Sequence, residues 1–175
     1  EPLGTRFRLA LIELGPIFVK FGQAISTRRD LLPPDIADEL AMLQDRVPPF
    51  PADEAKAMLD VAYDQPVDEV FSRFDKEPFA AASIAQVHTA ALQDGTEIIV
   101  KLLRPGVRKL IDRDLDVLYA IADLADRYWE LGKRLRPLEV VAEYEKTIID
   151  ELDMMREAAN TAQLKRNFEG SDKLY

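Results

Sequence analysis

Residues 79–101 read FAAASIAQVHTAALQDGTEIIVK, and this stretch carries the clearest fold signal in the sequence. Two strand-like runs, 83–92 and 96–103, are separated by Gln93-Asp94-Gly95, a turn signal that predicts an antiparallel hairpin. The residues before the first strand are rich in alanine, and the second run carries Lys101 directly after three apolar residues. This hairpin is the clearest β signal in the sequence, so the predicted sheet is small.

Helical patterns lie on both sides of the hairpin. Upstream, proline edges and apolar spacing predict short helices and one extended, proline-rich connector. Their predicted ranges are 5–13, 16–29, a helix starting at Pro34, 55–61 and 67–74, with the connector at 47–51. Downstream, apolar residues recur every three or four positions through 111–129, and a last helix is predicted from Pro137 through 159. The order of helices, hairpin and helices indicates an α+β fold, with a first region at 1–74 and a second at 75–175.

Composition narrows the classes of partner and compartment. The 175 residues carry a net charge of -9 with scattered Lys and Arg, which does not favour nucleic acid as a partner. No cysteine is present, which excludes disulfides and thiolate metal sites and is consistent with a reducing compartment. No apolar run approaches the roughly 20 residues that a membrane-spanning helix needs. The chain starts without methionine, and we expect it to be a fragment of a longer protein.

The alanine-rich stretch matches the spacing of a kinase phosphate loop, G-x-G-x-x-G-x-V. Ala80, Ala82 and Ala85 fall on the glycine positions and Val87 on the valine, while Lys101 matches the lysine of the following strand. Glycines let backbone N–H groups approach phosphate oxygens; alanine stays small but disfavours positive φ angles. Taken alone, the pattern is weak evidence, and an ordinary hairpin of small residues packed under a helix is favoured by roughly three to one.

A kinase-type strand lysine binds the α- and β-phosphates and needs a carboxylate from a neighbouring helix. The last predicted helix offers Glu151, Asp153 and Glu157. On one continuous helix Asp153 and Glu157 share a face, whereas Glu151 points elsewhere. One helix could therefore hold Lys101 with Glu157 while Glu151 contacts another group. The alternative is that Lys101 is a solvated strand end and the acids form a solvated helix face.

Gly22 is unusual inside an amphipathic helix, where glycine is less favourable than alanine by about 1 kcal/mol. It lies in Lys20-Phe21-Gly22-Gln23, and Lys20 and Gln23 face the same way. Such a glycine indicates close backbone packing or a nearby ligand, and by itself the packing interpretation is favoured. The single histidine, His88, lies in the hairpin and is interpreted as structural.

Taken together and in this order, these motifs closely resemble the UbiB family of atypical kinase-like proteins (the aarF-domain kinases). Four elements carry the resemblance along nearly the whole chain: the KxGQ motif at 20–23, the alanine-rich loop, the strand lysine Lys101, and the ExD motif at 151–153. The resemblance implies a kinase-like N-lobe at 75–175, covered by a helical KxGQ extension at 1–74, with the C-lobe absent from the chain. Within 75–175 it implies the hairpin, an inserted helix and an αC-like helix that carries ExD.

The resemblance also implies site residues, all named here by their numbers in this sequence. ATP would be contacted by the alanine-rich loop and the strand lysine, with Glu157 as partner of the lysine: Phe79, Ala80, Ala81, Ala82, Ser83, Ile84, Ala85, Gln86, Val87, Lys101 and Glu157. Lys20, Gln23, Glu151 and Asp153 would line a regulatory pocket. No catalytic residue or metal ligand is expected within 1–175, because the catalytic Asp and the Mg²⁺ ligands belong to the C-lobe. The chain alone is therefore not expected to turn over ATP.

For the parent protein, the resemblance implies an ATPase or phosphotransferase that supports or regulates ubiquinone biosynthesis at the cytoplasmic face of the bacterial inner membrane. Its expected partners are a nucleotide, a lipid or quinone precursor, and other ubiquinone-biosynthesis proteins. The fragment itself is expected to be soluble, with self-association through the apolar face that its missing lobe would cover. The competing hypothesis is a non-catalytic scaffold that binds a partner protein or a membrane surface.

Overall fold

The computed structural model describes residues 1–45, 47–128 and 135–171. It separates into two compact units, Glu1–Asp114 and Leu115–Tyr175. In its described residues the first unit contains three N-terminal helices, two further helices, a four-stranded sheet and the start of a long helix. The second unit is helical in its described part. The predicted α+β class is confirmed. One prediction lies outside the described residues, the place of Trp129 at the end of the long apolar stripe.

The first three helices form a small bundle whose boundaries are set by proline and glycine. The helices are α1 (Leu3–Leu14), α2 (Pro16–Ser26) and α3 (Pro34–Ala41). Gly15 has φ 115 between α1 and α2, a value that favours glycine, and Pro16 and Pro34 occupy the first helical turns as predicted. The bundle core comprises mainly aliphatic side chains: Leu11, Ile17, Phe18, Val19, Ile25, Ala37, Leu40 and Leu43.

Gly22 lies where α2 packs tightly against leucine side chains. A Cβ atom at this position would lie 2.4 Å from Cδ1 of Leu43 and 2.7 Å from Cδ1 of Leu11. Both leucines are buried, so each methyl group would have to shift within the packed core to admit a side chain here. The interpretation of Gly22 as a close-packing residue is confirmed.

Two helices lead from the bundle to the sheet. They are α4 (Ala52–Tyr63) and α5 (Val67–Val70), and α5 passes directly into strand β1 (Phe71–Phe74). The prediction of one helix over 67–74 is wrong beyond Val70, because 71–74 pair with the far end of the hairpin, with Phe74 opposite Ala90. Pairing with a distant strand overrides the helical pattern of these residues.

The hairpin is formed as predicted, with a short extra strand before it. Strands β2 (Ala80–Ala81), β3 (Ala85–Leu92) and β4 (Glu97–Leu103) are antiparallel. Strand β3 is central: β4 pairs along one edge, and β1 and β2 pair along the other. In the turn, Gly95 has φ 85 and Thr96 N donates to Asp94 Oδ1 at 2.9 Å.

The two faces of the sheet have different surroundings. One face packs on α4 and α5, with a core of Ala55, Leu59, Val67, Phe71, Ala90 and Leu102. The opposite face carries Val87 on β3 and Ile99 and Lys101 on β4, since neighbouring residues of a strand alternate sides. Ile99 is 71% exposed on this second face, which we call the open face. The open face is the one that matters for the candidate site.

The second unit corrects the prediction of one long C-terminal helix. After α6 (Val107–Tyr128) come α7 (Pro137–Asp150) and α8 (Met154–Asn167), with a break at 151–153. Asp153 ends the break as the N-cap of α8, accepting a hydrogen bond from Arg156 N at 2.9 Å. Because the helix is interrupted, Met155 does not continue the buried stripe of Val141, Tyr144 and Ile148 and is 81% exposed.

One contact in the second unit gives the chain a measurable alkaline pH dependence. Tyr119 Oη donates to Glu145 Oε2 at 2.5 Å. This hydrogen bond, with smaller contributions from desolvation and the carboxylate charge, raises the pKa of Tyr119 from 10.0 to about 12. A raised folded-state pKa means that the contact stabilises the fold fully below pH 10 and is lost as pH rises through about 12.

We therefore expect the free energy of unfolding to fall more steeply between about pH 10 and pH 12 in the wild type than in Tyr119→Phe. Urea unfolding between about pH 9 and pH 12 measures the difference. Tyr63→Phe, which removes a 48% exposed tyrosine, is the control and should keep the wild-type slope. Parallel curves for the wild type and Tyr119→Phe would contradict this account.

Candidate functional site

Three residues of the predicted ATP site lie side by side on the open face. Ala80 of β2 is directly opposite Val87 of β3, and Val87 is directly opposite Lys101 of β4. Residues opposite each other in a sheet project to the same side, so small, medium and cationic side chains form one row across three strands. Ala80 and Lys101 are exposed and Val87 is half-buried, and Phe79, next to the row, is 79% exposed.

The tip of the alanine-rich loop, residues 82–84, makes internal hydrogen bonds on every side. Ala82 N donates to Ala85 O at 2.9 Å, and Ser83 N donates to Asp45 Oδ1 at 2.9 Å. Ser83 Oγ donates to Asp45 Oδ2 at 2.8 Å, and Ser83 is only 1% exposed. In a glycine-rich loop such amides are the donors for phosphate oxygens. In this loop the Ser83 donors bind a carboxylate of the same chain.

Arg104 also forms hydrogen bonds with the loop. Its Nε donates to Ala82 O at 2.7 Å, and one terminal nitrogen donates to Pro48 O at 2.7 Å and to Val47 O at 3.4 Å. The guanidinium also lies 5.9 Å from the centre of the Phe50 ring. Arg104 thus ties the loop to the proline-rich connector.

Burial lowers the pKa of Arg104 below its usual value, and the charge of Asp45 acts in the opposite direction. An arginine remains charged under such conditions. The loop tip therefore contacts both a cation and an anion. Arg104 donates to the carbonyl group of Ala82, and Asp45 accepts from the amide and hydroxyl groups of Ser83.

Both polar residues of the KxGQ motif contact the segment that follows α3. Gln23 Nε2 donates to Leu43 O at 3.0 Å. Lys20 Nζ lies 3.9 Å from Asp45 Oδ2, and the two side chains are 21% and 15% exposed. The motif is thereby connected to the alanine-rich loop through Asp45. The sequence pattern identified Lys20 and Gln23 but gave no reason to expect this connecting carboxylate.

Gln86 projects to the face opposite Lys101, because it pairs with Leu102 on the core side. Its Oε1 accepts from Phe50 N at 3.1 Å, and its Nε2 lies 2.9 Å from Nε2 of His88; both side chains are fully buried. Since an amide NH₂ can only donate, His88 Nε2 is the acceptor, and its Nδ1–H donates to Asp75 O at 2.8 Å. This is a structural network, as expected for His88.

The remaining loop residues and the acidic candidates occupy distinct environments. Ile84 and Ala85 are buried, whereas Ala81 and Ala82 are half-buried. Glu151 is half-buried in the break after α7, Asp153 is the N-cap described above, and Glu157 is exposed in the first turn of α8. The prediction that Asp153 and Glu157 lie one turn apart within one continuous helix is wrong, because α8 begins after Asp153. The pairing of Glu157 with Lys101 stays a prediction.

Asp45 and Arg104 are the residues that sequence reasoning missed. Asp45 lies in an irregular segment between α3 and the connector, and Arg104 follows β4, so neither belongs to a periodic pattern. Only the proximity of residues distant along the chain, 38 positions for Asp45 and Ser83, reveals their roles. No group of three or more potential metal ligands was found among the described residues. Nor does any helix in the described ranges have the length and apolar character needed to cross a membrane.

The chain is similar to known proteins over most of its length. Residues 42–175 match the family model described as the ABC1 atypical kinase-like domain. Relatives named "Probable protein kinase UbiB" include one from Pseudomonas entomophila, 59% identical over 98% of this chain and 32% of its own length. Another, from Marinobacter nauticus, is 56% identical over 98% of this chain and 31% of its own length. The chain thus spans about a third of the length of these curated relatives.

A solved structure is also similar, that of a Rv3197–erythromycin complex from Mycobacterium tuberculosis. It has 30% sequence identity and a TM-score of 0.47, and the match covers 86% of this chain and 38% of that chain. The resemblance to the UbiB family that the motifs indicated is confirmed by the family match and by the identity to UbiB proteins. The chain belongs to the ABC1 atypical kinase-like family, of which it carries an α+β, N-lobe-type part.

Proposed function

We propose that this chain is the ATP-binding N-terminal part of a UbiB-type atypical kinase or ATPase that supports ubiquinone biosynthesis. The observation that carries the proposal is the row of Ala80, Val87 and Lys101 across three strands of the open face. A cation beside small, partly apolar side chains suits a ligand that has both a flat base and phosphate groups. The assignment of the phosphate-binding lysine is made by resemblance to the kinase pattern.

Each residue of the row has a distinct proposed role. The Lys101 ammonium would bind phosphate oxygens, and its neighbour Val87, with Ala80, would contact the base without a bulky side chain intervening. The row has room for a flat base, because no side chain larger than valine stands between Ala80 and Lys101. ATP, when bound, supplies the transferable phosphoryl group, and Mg²⁺ ligands are expected from the C-terminal lobe.

The hydrogen bonds that fix the loop tip would limit the positions in which the loop can bind phosphates. Because Ser83 N–H already donates to Asp45, phosphate binding would depend more on Lys101 and less on loop amides than in a glycine-rich loop. The alanines add to this restraint, since a Cβ disfavours the positive φ angles that glycine adopts freely. The loop would therefore keep one geometry over the nucleotide.

The proposal is tested by nucleotide binding to the full-length protein, with Ala82→Gly as the informative variant. We expect Ala82→Gly to change the dissociation constant of ATP or ADP by about threefold or more, because the loop tip gains backbone freedom. Isothermal titration calorimetry with both nucleotides measures the change. Ala62→Gly, at an exposed position of α4 on the other side of the sheet, is the matched control and should leave both constants unchanged. Unaltered binding of both nucleotides by Ala82→Gly would count against a restraining role of the loop.

The wider cellular role is part of the same proposal. UbiB-type activity would place the parent protein at the cytoplasmic face of the bacterial inner membrane, with a lipid or quinone precursor and other ubiquinone-biosynthesis proteins as partners. High identity to proteins named UbiB over 98% of the chain supports this assignment.

The ubiquinone content of cells that carry Lys101→Met in the full-length protein tests this role. We expect the content to fall, and wild-type content would favour the scaffold hypothesis.

A further inference from the structure

Asp45 lies at a junction between the KxGQ motif and the alanine-rich loop, although no motif includes it. One carboxylate contacts three groups: Ser83 N at 2.9 Å, Ser83 Oγ at 2.8 Å and Lys20 Nζ at 3.9 Å. We propose that Asp45 is a positioning residue that fixes the loop tip and couples its geometry to Lys20. The inference rests on the proposed function, since it concerns the loop that would cover the nucleotide.

The burial of Ser83 explains why this carboxylate matters. Ser83 is 1% exposed, so its amide and hydroxyl groups cannot exchange Asp45 for water without opening the loop. Hydrogen bonds to a charged acceptor are stronger than those between neutral groups. Asp45 is thus the residue that determines where the loop tip rests relative to the segment after α3.

Lys20 provides a compensating charge for Asp45. Both side chains are mostly buried, and a partly buried carboxylate that loses its cation is destabilised much more than a pair removed together. Lys20→Met would remove part of the positive charge that compensates Asp45, to which Arg104 also contributes. The excess negative charge at the loop tip would loosen the loop and repel nucleotide phosphates. Asp45→Asn removes that charge while keeping an oxygen that can accept from Ser83 N–H.

The test is a double-mutant cycle on ATP affinity in the full-length protein, measured by isothermal titration calorimetry. We expect Lys20→Met to weaken ATP binding by about tenfold, and Asp45→Asn to restore it within about threefold of the wild type in the double variant. Because other contacts of Lys20 are lost in both backgrounds, the cycle isolates the term that depends on Asp45. A purely structural role of either residue would not produce rescue by a second neutralising substitution.

Asp38→Asn is the matched control. Asp38 lies on α3, is 64% exposed and pairs with Arg29 at 2.6 Å, away from the loop. We expect it to have no effect alone and no rescue with Lys20→Met. If the wild type binds ATP but the effects of Lys20→Met and Asp45→Asn multiply within about twofold, the proposed coupling is overturned while the proposed function stands.

A second readout does not require nucleotide. Hydrogen exchange of the peptide covering 79–87 should be accelerated about tenfold or more by Lys20→Met and return toward the wild-type rate in the double variant. If wild-type protein fails to bind ATP, the proposed function fails, and this exchange pattern alone decides on Asp45. Equal exchange in all four proteins overturns the link, and rescue of the exchange rate supports it.

Discussion

Replacing Lys101 with methionine in the full-length protein is expected to weaken ATP binding by about 100-fold, equivalent to about 2.7 kcal/mol. The physical reason is the loss of a charge-assisted interaction with phosphate oxygens on the open face, where Lys101 is exposed beside Val87. Methionine keeps a similar unbranched stem, so the strand is expected to pair as before. Isothermal titration calorimetry with ATP measures the change directly.

Lys56→Met is the matched control for this prediction. Lys56 lies on α4, which packs on the other face of the sheet, and forms an exposed ion pair with Asp68 at 2.8 Å. Its loss should leave ATP affinity unchanged, because a surface pair of this kind contributes little and lies away from the row. Glu157→Gln in the same titration tests the predicted pairing with Lys101. Wild-type affinity in Lys101→Met would favour the scaffold hypothesis over an ATP site.

Replacing Arg104 with methionine is expected to lower the free energy of unfolding of the chain by about 3 kcal/mol. Arg104 donates to Ala82 O and Pro48 O at 2.7 Å each, and hydrogen bonds from a charged donor are stronger than neutral ones. Losing them frees the alanine-rich loop from the connector at the same time. Urea unfolding measures the loss of stability, and a weaker affinity for ATP should accompany it in the full-length protein.

Arg108→Met separates this effect from the loss of any arginine nearby. Arg108 lies four residues further along the chain, in the first turn of α6. Its side chain is 61% exposed and forms a surface ion pair with Asp112. Its replacement should change the free energy of unfolding by less than about 0.5 kcal/mol. If Arg104→Met is no more destabilising than this control, Arg104 does not anchor the loop.

Much of the fold could be predicted because short-range signals are strong in this sequence. Pro16, Pro34 and Pro137 each lie in the first turn of a helix, where a missing N–H costs nothing. Asp94-Gly95 forms the turn between β3 and β4, with Gly95 at a positive φ angle. Both kinds of signal act within a few residues, so they can be recognised without knowing the tertiary structure.

The errors occurred where tertiary contacts or capping decided the outcome. Residues 71–74 carry no strand signal of their own and become β1 by pairing with β3. The break at 151–153 contains neither glycine nor proline, so apolar spacing continued across it. The available signal was Asp153, since aspartate is a preferred N-cap and here accepts from Arg156 N.

The candidate site was predictable in its residue types but not in its connections. Lys101, Val87 and Ala80 were identified from motif spacing, and strand register then places them in one row. The role of Asp45 depends on a contact between residues 38 positions apart, and that of Arg104 on contacts spanning up to 57 positions. Motif spacing also included Gln86 in the predicted ATP site. Strand alternation instead directs its side chain to the core, where it is fully buried.

Photo-crosslinking of the full-length protein with a photoreactive ATP analogue, followed by peptide mapping, shows whether the open face binds the nucleotide. If the open face holds the nucleotide, the label should be found in peptides that cover 79–103, and unlabelled ATP should suppress it. Labelling that is competed by ATP but lies wholly outside 79–103 would contradict the account.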